Sequence, residues 1–157
     1  MLAVGTPAPP FSGKTTGGST LSLEQLRGRI VVLYFFRKAF TPNCTVETKG
    51  FRDNYDDLHA LGAEVVGVSS DDMPTQCEFA EKHGVKFPMI ADPERSIAKL
   101  YDVLFMFLPV SHRVTYVIDR AGTIAGVFNH EFAVVKHLDE VVRFVHKLAS
   151  PPPSTRR

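Results

Sequence analysis

The chain has 157 residues, 44% hydrophobic and 22% charged, the composition of a soluble globular protein with a substantial core. Lys and Arg number 18 against 17 Asp and Glu, leaving a scattered net charge of +1 that favours neither nucleic acid nor an anionic membrane. No run approaches the roughly 20 apolar residues that span a bilayer, and two cysteines make no disulfide scaffold. The start, Met1-Leu2-Ala3-Val4-Gly5-Thr6-Pro7, lacks the basic region and apolar stretch of a secretory signal, so the expected location is the cytoplasm.

Residues 1 to 20, rich in Gly, Pro, Ser and Thr, read as surface loop and a short hairpin. Ser22 with Gln25 three residues later resembles a capping box, opening a brief helix over Leu23–Arg27 that Gly28 ends. Ile30–Phe36 is an unbroken apolar run closing on three aromatics, which predicts a strand buried on both faces. A helix follows, with Phe51, Tyr55 and Leu58 at helical spacing, running to about Leu61 before Gly62. Glu64–Ser69 is a second buried strand. Pro74 suits the first turn of a helix over 74–83, closed by Gly84.

Asp92-Pro93 predicts an N-cap and first position for a helix reaching about Tyr101. Val114–Ile118 and Thr123–Phe128 flank Asp119-Arg120-Ala121-Gly122 as a hairpin. In the last helix Val134, Leu138, Val141, Val145 and Leu148 form one apolar stripe, ended by Pro151-Pro152-Pro153. Residues 1–150 thus form one expected domain, and 151–157 an expected disordered tail. A helix between the first two strands makes them parallel, and the hairpin adds antiparallel strands. The expected fold class is α/β: a mixed central β-sheet with helices on both faces, compatible with a thioredoxin-like fold.

Cys44 falls where the first buried strand gives way to the first turn of a helix. A thiol there faces unpaired backbone N–H groups and the positive end of the helix dipole. Both favour the thiolate, which is the reactive species, so Cys44 is a candidate nucleophile.

Thr41-Pro42-Asn43-Cys44-Thr45-Val46-Glu47 resembles the active-site loop of peroxiredoxins, with the Q-type (bacterioferritin-comigratory) branch as the best match. Val66-Gly67-Val68-Ser69-Ser70-Asp71-Asp72, Phe87-Pro88-Met89-Ile90-Ala91-Asp92 and Arg113-Val114-Thr115-Tyr116-Val117-Ile118-Asp119 resemble further segments in the same order. The likeness spans roughly residues 4 to 148. It implies a thiol peroxidase reducing hydrogen peroxide and organic hydroperoxides, with no metal or organic cofactor. Cys44 attacks the peroxide and becomes a sulfenic acid, Thr41 holds the peroxide, and Arg113 supplies the cation. Glu47 matches a family glutamate and is read as a positioning residue at most. The family's proline seven residues before the cysteine is here Arg37.

The position five residues after Cys44, where many Q-type enzymes carry a resolving cysteine, is Lys49. The resemblance leaves Cys77 as the candidate resolver, on the 74–83 helix where other members carry theirs about one turn later. The expected partners are therefore a peroxide and thioredoxin or a similar dithiol, with the chain as monomer or homodimer. A one-cysteine cycle, and a redox sensor or interaction protein on the same scaffold, remain open beside it. The six histidines, at 59, 83, 112, 130, 137 and 146, show no metal-ligand spacing and read as surface or capping residues. Val103–Val110 reads equally as core, dimer contact or active-site wall.

Overall fold

The computed structural model describes residues 2–36, 42–104, 113–129 and 134–149. A small hairpin of β1 (Ser12–Lys14) and β2 (Thr20–Ser22) leads into a short 3-10 helix, Leu23–Leu26. There Ser22 and Gln25 form the expected capping box, with Gln25 Oε1 accepting the Ser22 N–H at 3.1 Å. Then follow β3 (Ile30–Phe35), α1 (Pro42–Ala60), β4 (Ala63–Ser69), α2 (Met73–Lys82) and β5 (Met89–Ala91). The chain continues through α3 (Ser96–Leu100), β6 (Val114–Ile118), β7 (Ile124–Asn129) and α4 (Val134–Ala149).

The central sheet has the order β5-β4-β3-β6-β7. Strands β3, β4 and β5 run parallel, and β6 and β7 join antiparallel to β3 and to each other. The β6–β7 turn is built by Asp119, whose Oδ1 accepts the N–H groups of Ala121 and Thr123 at 3.0 and 2.9 Å. Gly122 closes it at φ 88°, a left-handed conformation that glycine adopts without strain.

Strand alternation sorts the core into two layers. Ile30, Val32, Tyr34 and Phe36 meet Phe51 and Leu58 of α1, Phe79 and Ala80 of α2, and Val141 and Val145 of α4. Val31, Leu33 and Phe35 face the other way, onto Phe11, Leu26 and Ile97, Ala98 of α3. This is the expected mixed sheet with helices on both faces. On β6 the same alternation sends Val114, Tyr116 and Ile118 to the second layer and Val117 to the first. Arg113 and Thr115 share Val117's parity, so they fall on the side that carries α1 and α4.

Gly50, in mid-α1, is there for close approach. A Cβ at that position would collide with Leu138 Cδ1 of α4, so the glycine lets the two helices pack closely. The helix accepts a propensity cost of about 1 kcal/mol at this point.

Two expectations are corrected. Met89–Ala91 is a strand, pairing parallel with Gly67–Ser69, where the sequence reading had none. Three residues are too few to show an alternation. The helix expected from Asp92-Pro93 begins only at Ser96, because Arg95 adopts φ 61°. Asp92 still caps it from farther back: its carboxylate accepts the N–H groups of Ser96, Ile97 and Ala98 at 3.0, 3.0 and 3.1 Å. Val103 is buried in the core and Leu104 packs against it. Residues 105–110 of that run, and the 151–157 tail, lie outside the described residues.

Candidate active site

Three buried side chains from two elements meet at the start of α1. Cys44 is the third residue of the helix, after Pro42, whose missing N–H costs nothing at a helix start. Its Sγ is 1% exposed as a residue and lies 3.9 Å from both Nη1 and Nη2 of Arg113. Arg113 is buried too, and its Nη1 donates to Glu47 Oε1 at 2.9 Å. Glu47 sits one turn after Cys44 on the same helix face, so the helix itself puts thiol and carboxylate on either part of one guanidinium. The sequence reading takes Glu47 as a positioning residue at most, and its ion pair with Arg113 is a contact of that kind.

Magnitudes separate the influences on the thiol. A helix N-terminus contributes typically about 0.3–1 kcal/mol toward a negative charge. A unit charge about 4 Å away in a partly screened site is worth about 4 kcal/mol. Of the two positive influences at Sγ, the Arg113 guanidinium is therefore the larger. The buried Arg113–Glu47 pair is a weak source of stability, since desolvation offsets its attraction; what it supplies is a held geometry.

The cluster extends further. Glu47 Oε2 is 3.5 Å from Nε2 of His137, and the same nitrogen is 2.6 Å from Thr115 Oγ1. His137 is fully buried, which corrects its reading as a surface or capping residue. The signal was present: it lies four residues before Val141, on the apolar stripe of α4. His83 does cap, ending α2, and His59 and His146 are exposed. His112 and His130 lie outside the described residues.

Tyr34 completes the floor, its hydroxyl 3.1 Å from Thr48 Oγ1. Burial above all, and then the negative charge of Glu47, push the phenol well above its ordinary range, so it stays neutral. Its ring lies where a Cβ on Gly67 would be 2.9 Å away, so the glycine of β4 makes room for it.

Cys77 stands elsewhere. Both cysteines are free thiols. Cys77 is half-buried on α2, and its Sγ–H donates to the Thr16 carbonyl at 3.8 Å. It opens into a cleft of about 500 Å³ shared with Thr15, Ser19, Glu81, Lys86 and Phe87; none of the Cys44 cluster lines it. The structure thus brings together Cys44, Arg113 and Glu47 and leaves Cys77 apart from them. Thr41 and Arg37 fall outside the described residues.

Comparisons with known proteins point to one family. The family model described as AhpC/TSA family matches residues 4–127. The chloroplastic peroxiredoxin Q of Populus jackii is 38% identical over 147 residues, covering 92% of this chain and 68% of that protein. The crystal structure of peroxidoxin BcpB from Mycobacterium tuberculosis superposes with a TM-score of 0.87 at 27% identity, covering 96% of this chain and 100% of that one. The bacterioferritin comigratory protein of Xanthomonas campestris, solved to study its alkyl peroxide reduction activity, gives 0.84 at 25% identity over 89% and 92% of the two chains. Thioredoxin-like fold, buried helix-start cysteine and relatives converge: the chain belongs to the AhpC/TSA family as a peroxiredoxin of the Q type, a thiol peroxidase.

Proposed function

We propose that Cys44 is the peroxidatic thiol and that the enzyme reduces hydrogen peroxide and organic hydroperoxides through a Cys44 sulfenic acid. The observation that carries this reading is the bidentate approach of buried Arg113 to Cys44 Sγ, 3.9 Å from each terminal nitrogen. The thiolate attacks the terminal peroxide oxygen, the O–O bond breaks, and the departing alkoxide or hydroxide takes up a proton. The N–H groups of Asn43 and Cys44 and the Arg113 guanidinium stabilise charge on those oxygens. Thr41, three residues before Cys44, is assigned to hold the peroxide in line.

Cys77 then condenses with the sulfenic acid, releasing water and forming a Cys44–Cys77 disulfide. Thioredoxin or a similar dithiol returns both thiols. The bond requires Cα atoms within roughly 7 Å, so the first turn of α1 has to open. The cleft beside Cys77 supports its role as the sulfur a reductant reaches. Its separation from the Cys44 cluster favours the second reading, a one-cysteine cycle in which an external thiol attacks the sulfenic acid directly. Two free thiols suit a reducing compartment, and the cytoplasm remains the proposed location.

Peptide mapping of the peroxide-treated chain without reductant distinguishes the two. A Cys44–Cys77 linked peptide supports the intramolecular cycle. Oxidised Cys44 beside an unmodified Cys77 contradicts it and leaves the one-cysteine route.

A further inference from the structure

Glu47 aims Arg113 and also subtracts from it. When Cys44 ionises, thiolate and carboxylate together carry two negative charges against one guanidinium, with all three side chains buried. An uncompensated buried charge is expensive. Beside the Tyr34 phenol, which stays neutral, the other ionisable group in the cluster is His137, and the peroxidase reading gives it no task. Its Nε2 lies 3.5 Å from Glu47 Oε2, the carboxylate oxygen opposite the one bonded to Arg113, and 2.6 Å from Thr115 Oγ1.

Other charged groups near His137 can be placed element by element among the described residues. From α1 come Glu47 and, one turn earlier, Cys44; Asp57 farther along α1 pairs with His146 at 2.6 Å instead. From β6 come Thr115 and, through Glu47, Arg113. Strand β7 carries no titratable side chain. On α4 itself, Lys136, Asp139 and Arg143 are exposed, and half-buried Glu140 faces Lys136 at 4.0 Å.

We propose that His137 is a positioning residue of the peroxidase site, holding Glu47 by its second oxygen and, as imidazolium, supplying the charge that balances the Cys44 thiolate. Two states of the cluster are then neutral overall. In one, Cys44 is a thiol and His137 a neutral imidazole; in the other, Cys44 is a thiolate and His137 carries a proton. Arg113 stays cationic and Glu47 anionic in both. Oxidation resolves the second state: sulfur bonds to oxygen, the leaving oxyanion gains a proton, and the imidazolium gives one up. The device makes the guanidinium's full charge available to Cys44 while Glu47 keeps it aimed. Thr115 holds the ring through the other contact of the same nitrogen.

This inference rests on Cys44 being the peroxidatic residue, so the test reads Cys44 itself. The reduced full chain is mixed with hydrogen peroxide between about pH 5 and about pH 9, spanning the range in which histidine changes charge. The oxidation rate is followed by stopped flow, and the modified sulfur is identified by mass spectrometry. Wild type is expected to show a bell, its alkaline limb marking loss of the imidazolium. His137→Gln is expected to be about tenfold slower at neutrality and to lose that limb, leaving a single rise. A His137→Gln profile superimposed on wild type overturns the proposal. So does a uniformly slower rate with the limb intact, which is the signature of a structural role. If His137→Gln does not fold, Thr115→Val removes the 2.6 Å contact while keeping the imidazole, and its alkaline limb must move. An unmoved limb overturns the proposal equally. Wild-type oxidation that begins at Cys77 while Cys44 is still reduced overturns both this inference and the function it rests on.

Discussion

The two cysteines sit on successive helices, Cys44 third in α1 and Cys77 fifth in α2, and have been given opposite surroundings. Cys44 is almost fully buried, beside a guanidinium that is itself clamped by a carboxylate. Cys77 is half-buried beside a backbone carbonyl, in an open cleft, with no charged side chain among the described residues bonded to it. Cys44 alone lies in a first helical turn, but a helix end acts on a nearby charge less strongly than a fixed cation about 4 Å away. The difference is the fixed cation. Burial of Cys44 excludes water, which strengthens the Arg113 interaction; exposure of Cys77 does the reverse but gives access to another molecule. One sulfur is sheltered beside a cation, and the other lies open to a cleft.

Substitution can break that contrast, and the largest effect is expected at the buried sulfur. Cys44→Ser should reduce peroxide consumption to the background rate, and retained activity in a coupled thioredoxin assay would remove the proposed nucleophile. Arg113→Ala should come next. It removes the donor nearest the reacting atoms and should slow Cys44 oxidation by about 10²-fold. The same change leaves Glu47 buried without its guanidinium and should cost about 3–5 kcal/mol of stability, read from a urea transition. Arg113→Ala that slows oxidation no more than twofold would deny the cation its role.

Cys77→Ser should produce a different phenotype altogether. The first oxidation should proceed at the wild-type rate, and turnover with thioredoxin should then stall; unbroken cycling would favour the one-cysteine route. A smaller effect concerns the helix that carries Cys44. Gly50→Ala gains about 1 kcal/mol of helix propensity but drives a methyl into Leu138, an overpacking cost of about 1–3 kcal/mol. Net destabilisation is expected, with a lower urea midpoint. A stabilised variant would mean α4 yields easily and the close approach is incidental.

The smallest expected effect lies at the far end of the Cys77 helix. Burial first, and then the charges of Lys49, Lys82 and Arg52, lower the pKa of His83 below its usual value. The unfolded chain therefore binds this proton more readily than the folded one. Stability should fall as pH drops below about 6.5 and level off once the folded form also protonates. His83→Gln should shrink the stability difference between pH 7.5 and pH 5.5, about a unit either side of that value. An unchanged difference would place the acid sensitivity elsewhere.

Much of the scaffold was legible because its signals are long. Ile30–Phe36 could only be a strand buried on both sides, and the 134–148 stripe could only be an amphipathic helix. What escaped was short or indirect. Strand β5 is three residues long, and α3 is delayed by a single left-handed residue, Arg95, while its capping carboxylate acts from four positions earlier. At the site, Cys44 was read from its place at a helix start and Arg113 from resemblance, and the structure adds their contact. His137 was missed because a lone histidine with no ligand spacing was read by type. Its helical phase with Val141 carried the burial, and only tertiary packing reveals that Glu47 and Thr115 wait on the other side.

The most direct test of the account asks which sulfur first acquires oxygen. Reduced chain is exposed to one equivalent of hydrogen peroxide in the presence of a sulfenic-acid trap, quenched at successive times and mapped by peptide mass. The account predicts trapped adduct on Cys44 at the earliest time, with Cys77 still a thiol. Adduct appearing first on Cys77 while Cys44 stays reduced would contradict it.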